Sequence, residues 1–484
     1  MTAIRTARTP PASHRRPRNA RNLSARLARG SSYRSGYALV ASTAASTGIG
    51  VLYWAVAAHL YSRQLVGQAS ALVSALVLLS SFAQLNLSNT LPRFLPRAGR
   101  RAGRLIGLGY ALSAGCGLLA GLAFVLVMPR LNPQWQFLGG SDLLRILFVA
   151  AAAVWGIFAL QDAALLGLKH PIMVPVENAV YGAAKVAVLI GIAAMLPVTG
   201  LFVSWTIPLA LTVPGVNWLI FRRYLADRPT ATAVATVSPR SIVRFTAVDY
   251  VGAVASQGYG NLLPLIVLST LGAGANSSFY IAWTIATGLE LVATNFATSL
   301  LVEGSAAPDR LGPLTRGIVV RSLLVIVSGA AVLTLGARLI LTIYGHSYAT
   351  GAAHVLALLV AGTILYGLLL IVFSLDRLAD RVGRATATRL VLAMLMLGGS
   401  WLLIRRMGVD GVGVAWIGST SLLVLARMPT LVRALRQPAS ASARRARHRA
   451  DGRVGHSATD IATHAAGPAA AHGSGHSPRH RAAA

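Results

Sequence analysis

The chain has 484 residues, of which 55% are hydrophobic and 12% charged, and its 44 Lys and Arg against 13 Asp and Glu give a formal net charge of +31. So apolar and charge-poor a composition excludes ordinary soluble domains and indicates a polytopic membrane protein. The basic excess does not indicate a nucleic-acid partner, because the arginines sit in the tails and in alternate loops rather than over one folded face.

In chain order, residues 1–35 form a basic segment with Arg5, Arg8, Arg15, Arg16, Arg18, Arg21, Arg26 and Arg29 and no acid. It reads as a disordered cytoplasmic tail, drawn to anionic lipid by about 1 kcal/mol per charge near the surface. Apolar runs follow at 36–60, 66–91, 105–128, 143–168, 172–196, 201–220, 246–270, 279–302, 318–344, 353–374, 388–404 and 411–427. Each is long enough to approach or exceed the roughly 20 helical residues that cross a hydrocarbon core. The first is too long for the apolar part of a secretion signal. Leu60 to Pro96 reads as a polar turn at Tyr61–Gln64, one crossing from Leu65 to Leu91, and a basic segment with prolines.

With the N-terminus inside, the loops assigned to the cytoplasm hold Arg93, Arg97, Arg100, Arg101 and Arg104, then Lys169, then Arg222, Arg223, Arg228, Arg240 and Arg244, then Arg310 and Arg316, then Arg377, Arg381 and Arg384. The opposite loops are almost uncharged, as the positive-inside rule requires, except for Arg405 and Arg406 beside the two short final spans. Residues 222–245, rich in Ala, Thr, Pro and Arg, form a linker between two sets of six. Leu268 to Ser305 repeats the grammar of Leu60 to Pro96, with Asn295 in the place of Leu85 or Asn86. The expected fold is therefore all-α and polytopic, with about twelve transmembrane helices in two six-helix lobes related by a parallel repeat. The lobes are 36–221 and 246–430, and 431–484 is a second disordered basic cytoplasmic tail.

Gly115, Gly117, Gly121 and Gly182 permit close helix contact, and Pro208, Pro214 and Pro264 fall inside spans. The single cysteine, Cys116, excludes an intramolecular disulfide and a Cys metal site. No enzyme or nucleotide-binding motif is present, and neither a cofactor nor a metal is expected.

Candidate functional residues are therefore charges inside the membrane, which are expensive there unless paired or wet. Lys185 in the fifth span and Glu290 in the eighth both fall near mid-depth, in opposite halves. They are read as an inter-lobe gate, or as an anion-binding lysine and an ion-coupled carboxylate, against the plainer reading of static buried groups. Asp249 and Arg321 lie near cytoplasmic span starts, where a cationic vestibule would attract an anionic head group. Gln84, Asn86, Asn89 and Asn295 could line a cavity and bond sugar hydroxyls, or could bond between helices. Asp162, Glu177 and Lys169 read as a solvated ion cluster at a helical hairpin.

The turn YSRQLVGQAS with NTLPRFLPRAG after it, the stretch LGAGANSSFYIAWTIATGLELVATNFATSLLVEGS and the segment YGHSYATGAAHVLALLVAG resemble the polysaccharide flippase family, within the superfamily of multidrug, oligosaccharidyl-lipid and polysaccharide exporters. The likeness covers about residues 36 to 430. It implies a cytoplasmic-membrane transporter that flips a polyprenyl-pyrophosphate-linked oligosaccharide by alternating access, with both termini cytoplasmic. The implied partners are the lipid-linked glycan, anionic lipid at the tails, and a polysaccharide polymerase or glycosyltransferases. The alternatives are an ion-coupled multidrug exporter of the same superfamily and a non-transporting scaffold of a glycan-assembly complex. A drug exporter would want acids in the first-half cavity, and the first span has none.

Overall fold

The protein, in a computed structural model, is described at residues 48–196, 198–226, 250, 258–306 and 311–437. The tails, most of the linker and Asp249 lie outside the described residues. Twelve helices longer than ten residues follow in order among the described residues: α1 (Gly48–Leu60), α2 (Arg63–Ala83), α3 (Ala102–Leu131), α4 (Asp142–Gly167), α5 (Met173–Ile192), α6 (Gly200–Trp218), α7 (Gly258–Leu271), α8 (Ala273–Ala306), α9 (Leu311–Leu335), α10 (Ala353–Leu378), α11 (Val382–Met407) and α12 (Asp410–Arg436). Ten of them are long and apolar enough to cross a membrane, α1 and α7 are shorter apolar helices, and no strand occurs among the described residues. The chain is thus all-α and polytopic, with six helices on either side of residues 227–249.

The local chemistry sets the helix ends. Ser62 caps α2 by accepting from Leu65 N–H at 3.4 Å, and Ser141 caps α4 by accepting from Leu144 N–H at 3.2 Å, with Asp142 next to it at the positive end of the helix dipole. The second span does not run to Leu91: α2 ends at Ala83, and Leu85 (φ 48°) and Asn86 (φ 60°) turn left-handed before a short helix restarts at Leu87–Phe94. Asn tolerates that conformation, whereas Leu rarely adopts it. The ninth span also breaks, at Gly336, before a six-residue helix Ala337–Thr342. The final two helices are not short. α11 has 26 residues and α12 has 27, and Arg405 and Arg406 form the last turn of α11, where cations complement the helix dipole. α6 continues through Pro208 and Pro214 and ends in a wider segment, Leu219–Tyr224, with Leu225 N–H bonded to Ile220 O.

Small residues set the closest approaches. A Cβ on Gly117 would strike the Ala152 carbonyl, which joins α3 to α4, and one on Gly362 would strike Trp416, which joins α10 to α12. Gly115 meets nothing and makes no such contact. The two halves meet along α2 and α8: a Cβ on Gly67 would fall on the Ala273 carbonyl, and Asn276 Nδ2 donates to Gly67 O at 2.8 Å and to Ser70 Oγ at 3.1 Å. Arg63 reaches across to Ser278 Oγ and to Gly274 O at 3.4 Å, with its guanidinium 5.2 Å from the Tyr348 ring centre. Asn132 Nδ2 and Trp135 Nε1, from the α3–α4 connection, bond Ser269 O and Ser269 Oγ, both at 2.9 Å. The seam is thus built at the end of the bundle that carries the α1–α2 and α7–α8 junctions.

Candidate functional site

Tyr181 and Lys185 stand one turn apart on α5 and so share a face. Both are buried, and both face Trp205 of α6 and Tyr53 of α1. The Lys185 ammonium lies 4.0 Å from the Trp205 ring centre, 4.6 Å from that of Tyr53 and 5.5 Å from that of Tyr181. The walls are held in place. Tyr53 donates to Leu201 O at 3.0 Å and lies 2.7 Å from Ser204 Oγ, while Tyr181 donates to Trp205 O at 3.2 Å. Trp54, Trp155 and Phe158 continue the aromatic lining, and Trp54 meets Tyr280 of α8 edge to face at 4.9 Å, so the cage touches the second half. No ion-pair partner of Lys185 exists among the described residues. Ring faces, worth up to about 2 kcal/mol each when desolvated, stand where a carboxylate would otherwise be needed. They cannot accept the three N–H bonds of an ammonium as a carboxylate or phosphate would, so the cage leaves donors for an anion.

Glu290 does not meet Lys185. It lies half-buried on α8, within electrostatic reach of the Tyr259 and Tyr366 hydroxyls, which bond each other. Arg389 of α11 acts on the same two tyrosines, and its guanidinium lies 4.8 Å from the Phe373 ring centre. Trp416 of α12 packs against Tyr366 at 5.2 Å and Tyr259 at 5.9 Å. Each half therefore holds an aromatic cluster beside a cation on its fifth helix, Lys185 or Arg389, and among the described residues a carboxylate, Glu290, acts on the cluster of the second half.

The remaining candidates scatter. Arg321 is exposed on the face of α9 that also carries exposed Leu324 and Val325, turned away from the core. Gln84, Asn86 and Asn89 belong to the break after α2: Ser88 Oγ donates to Gln84 Oε1 at 2.5 Å, and Asn89 Nδ2 to Asn86 Oδ1 at 2.8 Å. They serve the turn. Asn295 is half-buried on α8, beyond Glu290. Lys169 (φ 67°) is exposed at the α4–α5 turn and pairs with neither Asp162 nor Glu177, so that group is not an ion cluster.

Tyr53, Trp205 and Trp416 escape a reading that follows charges in apolar runs, and Arg389 stands at the very start of the run 388–404, where a charge reads as part of the boundary. A signal for two of them was present. Gly200-Leu-Phe-Val-Ser-Trp205 and Gly411-Val-Gly-Val-Ala-Trp416 share the pattern G-x-x-V-[SA]-W, and both open the sixth helix of their half.

The helix arrangement has close counterparts. A multidrug resistance MATE family transporter of the MOP superfamily, in an inward-facing conformation, superposes with a TM-score of 0.63 at 11% identity, over 81% of this chain and 95% of that one. The lipid II flippase MurJ, in an inward closed conformation, gives 0.62 at 11% identity over 82% and 89%. A MOP superfamily transporter from Pyrococcus furiosus, described as having a binding pocket of reverse polarity, gives 0.54 at 12% identity over 82% and 95%. The fold is that of the MOP superfamily transporters. No family model and no curated protein matches the sequence. In the MOP fold of this chain the lysine cage sits in the first six helices, against the inter-half contact made by Trp54 and Tyr280.

Proposed function

We propose that the chain is a transporter that moves a lipid-linked oligosaccharide, with a polyprenyl-pyrophosphate carrier, across the cytoplasmic membrane for polysaccharide export, by alternating access between two six-helix lobes. The observation that carries this reading is Lys185: a buried ammonium, walled by three aromatic rings, with no carboxylate paired to it among the described residues. Such a cation asks for an anionic group, as a pyrophosphate supplies. Aromatic faces beside it suit sugar rings, whose C–H faces are apolar. The same cluster without the lysine would suit a flat cationic drug, and the lysine opposes one by like-charge repulsion. One similar structure is named as a lipid II flippase, which supports a lipid-linked cargo, while others are named as multidrug transporters. The basic N-terminal segment would hold anionic lipid beside the cytoplasmic entrance.

The experiment is depletion of the protein in cells, followed by extraction and analysis of polyprenyl-linked glycans. Their accumulation inside, with loss of surface polymer, is the expected result and identifies the sugar carried. Unchanged glycans together with new sensitivity to cationic drugs would replace this reading with that of a multidrug exporter. Unchanged transport after removal of residues 1–35 and 438–484 would set aside a scaffold that works through its tails.

A further inference from the structure

A polar cavity of about 550 Å³ opens at the seam, where the α1–α2 and α7–α8 junctions meet. It is lined by Arg63, Gln64 and Gln68 from the first turns of α2, by Gln134 from the α3–α4 connection, and by the α7–α8 turn from Leu271 to Gly274. Gln64 and Gln68 stand one turn apart and share a face of α2. Gly272 (φ 85°) takes the chain left-handed between α7 and α8, and a Cβ there would stand 3.2 Å from Gln134 Oε1, so the Gln134 amide lies against the turn. Its neighbours Asn132 and Trp135 are fixed by their bonds to Ser269. The three glutamines are thus presented by folded elements of both halves.

The cavity is positive. No Asp or Glu lines it, and Arg63 is in no ion pair among the described residues. Arg63 Nη2 bonds Ser278 Oγ and Gly274 O, but Nε is buried without a hydrogen-bond partner. A guanidinium holds five N–H groups in one planar fork that fits a carboxylate or a phosphate, so this one keeps donors that no anion of the chain takes up. Both α2 and α8 begin at the cavity, which places the positive ends of two helix dipoles beside it. Around that charge stand amides rather than the rings of the lysine cage, and each amide has donors and an acceptor for a hydroxyl. The volume lies within the range of ligand pockets, roughly 300–1,000 Å³.

We propose that this cavity binds an anionic saccharide, with its carboxylate or phosphate on Arg63 and its hydroxyls on Gln64, Gln68 and Gln134. It stands at the end of the bundle opposite the arginine-rich loops, which the positive-inside rule makes the outer face, so it receives the glycan that has crossed. The site rests on the glycan-transport function for the source of its ligand, but it is tested by binding alone, so its failure and that of the depletion experiment are separate. Full-length protein in detergent micelles is titrated with a disaccharide of glucuronic acid and N-acetylglucosamine, with a hexose phosphate, and with a neutral disaccharide of N-acetylglucosamine, and binding is read by saturation-transfer NMR. An anionic probe is expected to bind about tenfold more tightly than the neutral one, and the tighter of the two names the charged group. Loss of a charge-assisted bond should weaken that probe about tenfold or more in Arg63→Gln. Should Arg63→Gln fail to elute as a monodisperse protein, the double variant Gln68→Ala, Gln134→Ala decides by a severalfold loss, because those side chains take no part in the bonds across the seam. Equal binding of the neutral disaccharide, no binding of either anionic probe, or binding that persists unchanged in these variants overturns the proposal.

Discussion

Lys185 carries its charge into a wall of rings, and that choice of neighbours decides what its removal should do. Truncation leaves Tyr53 bonded to Leu201 O and Ser204 Oγ and Tyr181 bonded to Trp205 O, so both tyrosines keep their hold on α6 without the ammonium. Lys185→Ala is expected to insert and fold normally and to lose transport, read as lipid-linked glycan accumulating inside cells; wild-type surface polymer in this variant would remove the lysine from the mechanism. Lys185→Arg should restore part of the activity, because it keeps the charge but not the compact ammonium that fits between the rings. A charge inside an apolar run is visible in a bare sequence, and that is how Lys185 and Glu290 were found. The rings around Lys185 were not visible, since Tyr53 and Trp205 are more than 100 residues apart and only folding sets them together. The grouping of Asp162 and Glu177 with Lys169 failed for the opposite reason. They are near in sequence, but the left-handed turn at Lys169 sends its side chain outward and leaves the acids behind.

Between elements, the sharpest electrostatic contact is the ion pair of Asp376 on α10 with Arg427 on α12, whose carboxylate side chain is 1% exposed. Removing one partner of such a pair strands the other, typically at about 3–5 kcal/mol. Asp376→Ala is therefore expected to lower the thermal unfolding midpoint strongly, whereas Asp142→Ala, whose pair with Arg145 is exposed, should change it little. Unfolding midpoints in detergent check both. Helix number and order were legible because long apolar runs of roughly 20 residues have few other uses. The helix ends were not. Nothing marks Leu85 as left-handed, because an ordinary apolar residue was forced into that conformation by its context, so the second span was read through a break. Arg405 and Arg406 look like a loop by charge, yet they are the exposed last turn of a helix whose other face is packed.

At the scale of the molecule, the twofold repetition recurs in chemistry as well as in helix count, with Lys185 and Trp205 in one half answered by Arg389 and Trp416 in the other. The seam between the halves rests on backbone contact at Gly67 and Ala273, which no side chain at position 67 could preserve. Gly67→Val should part α2 from α8, so that cysteines placed at 63 and 278 are bridged by a bifunctional thiol reagent of about an arginine side chain's reach in the parent protein and not in the variant. Cross-linking that is equally efficient in both would show that the seam yields elsewhere. The directional bonds across it are few: those of Asn276 and Arg63, with Asn132 and Trp135 beside them. At a net worth of about 1 kcal/mol each, these bonds set the two arrangements about 6 kcal/mol apart. A gap of that size leaves on the order of one molecule in ten thousand to one in a hundred thousand already parted at any instant. A cargo need not pry the halves open; it has only to dwell longer on the minority that has opened by itself.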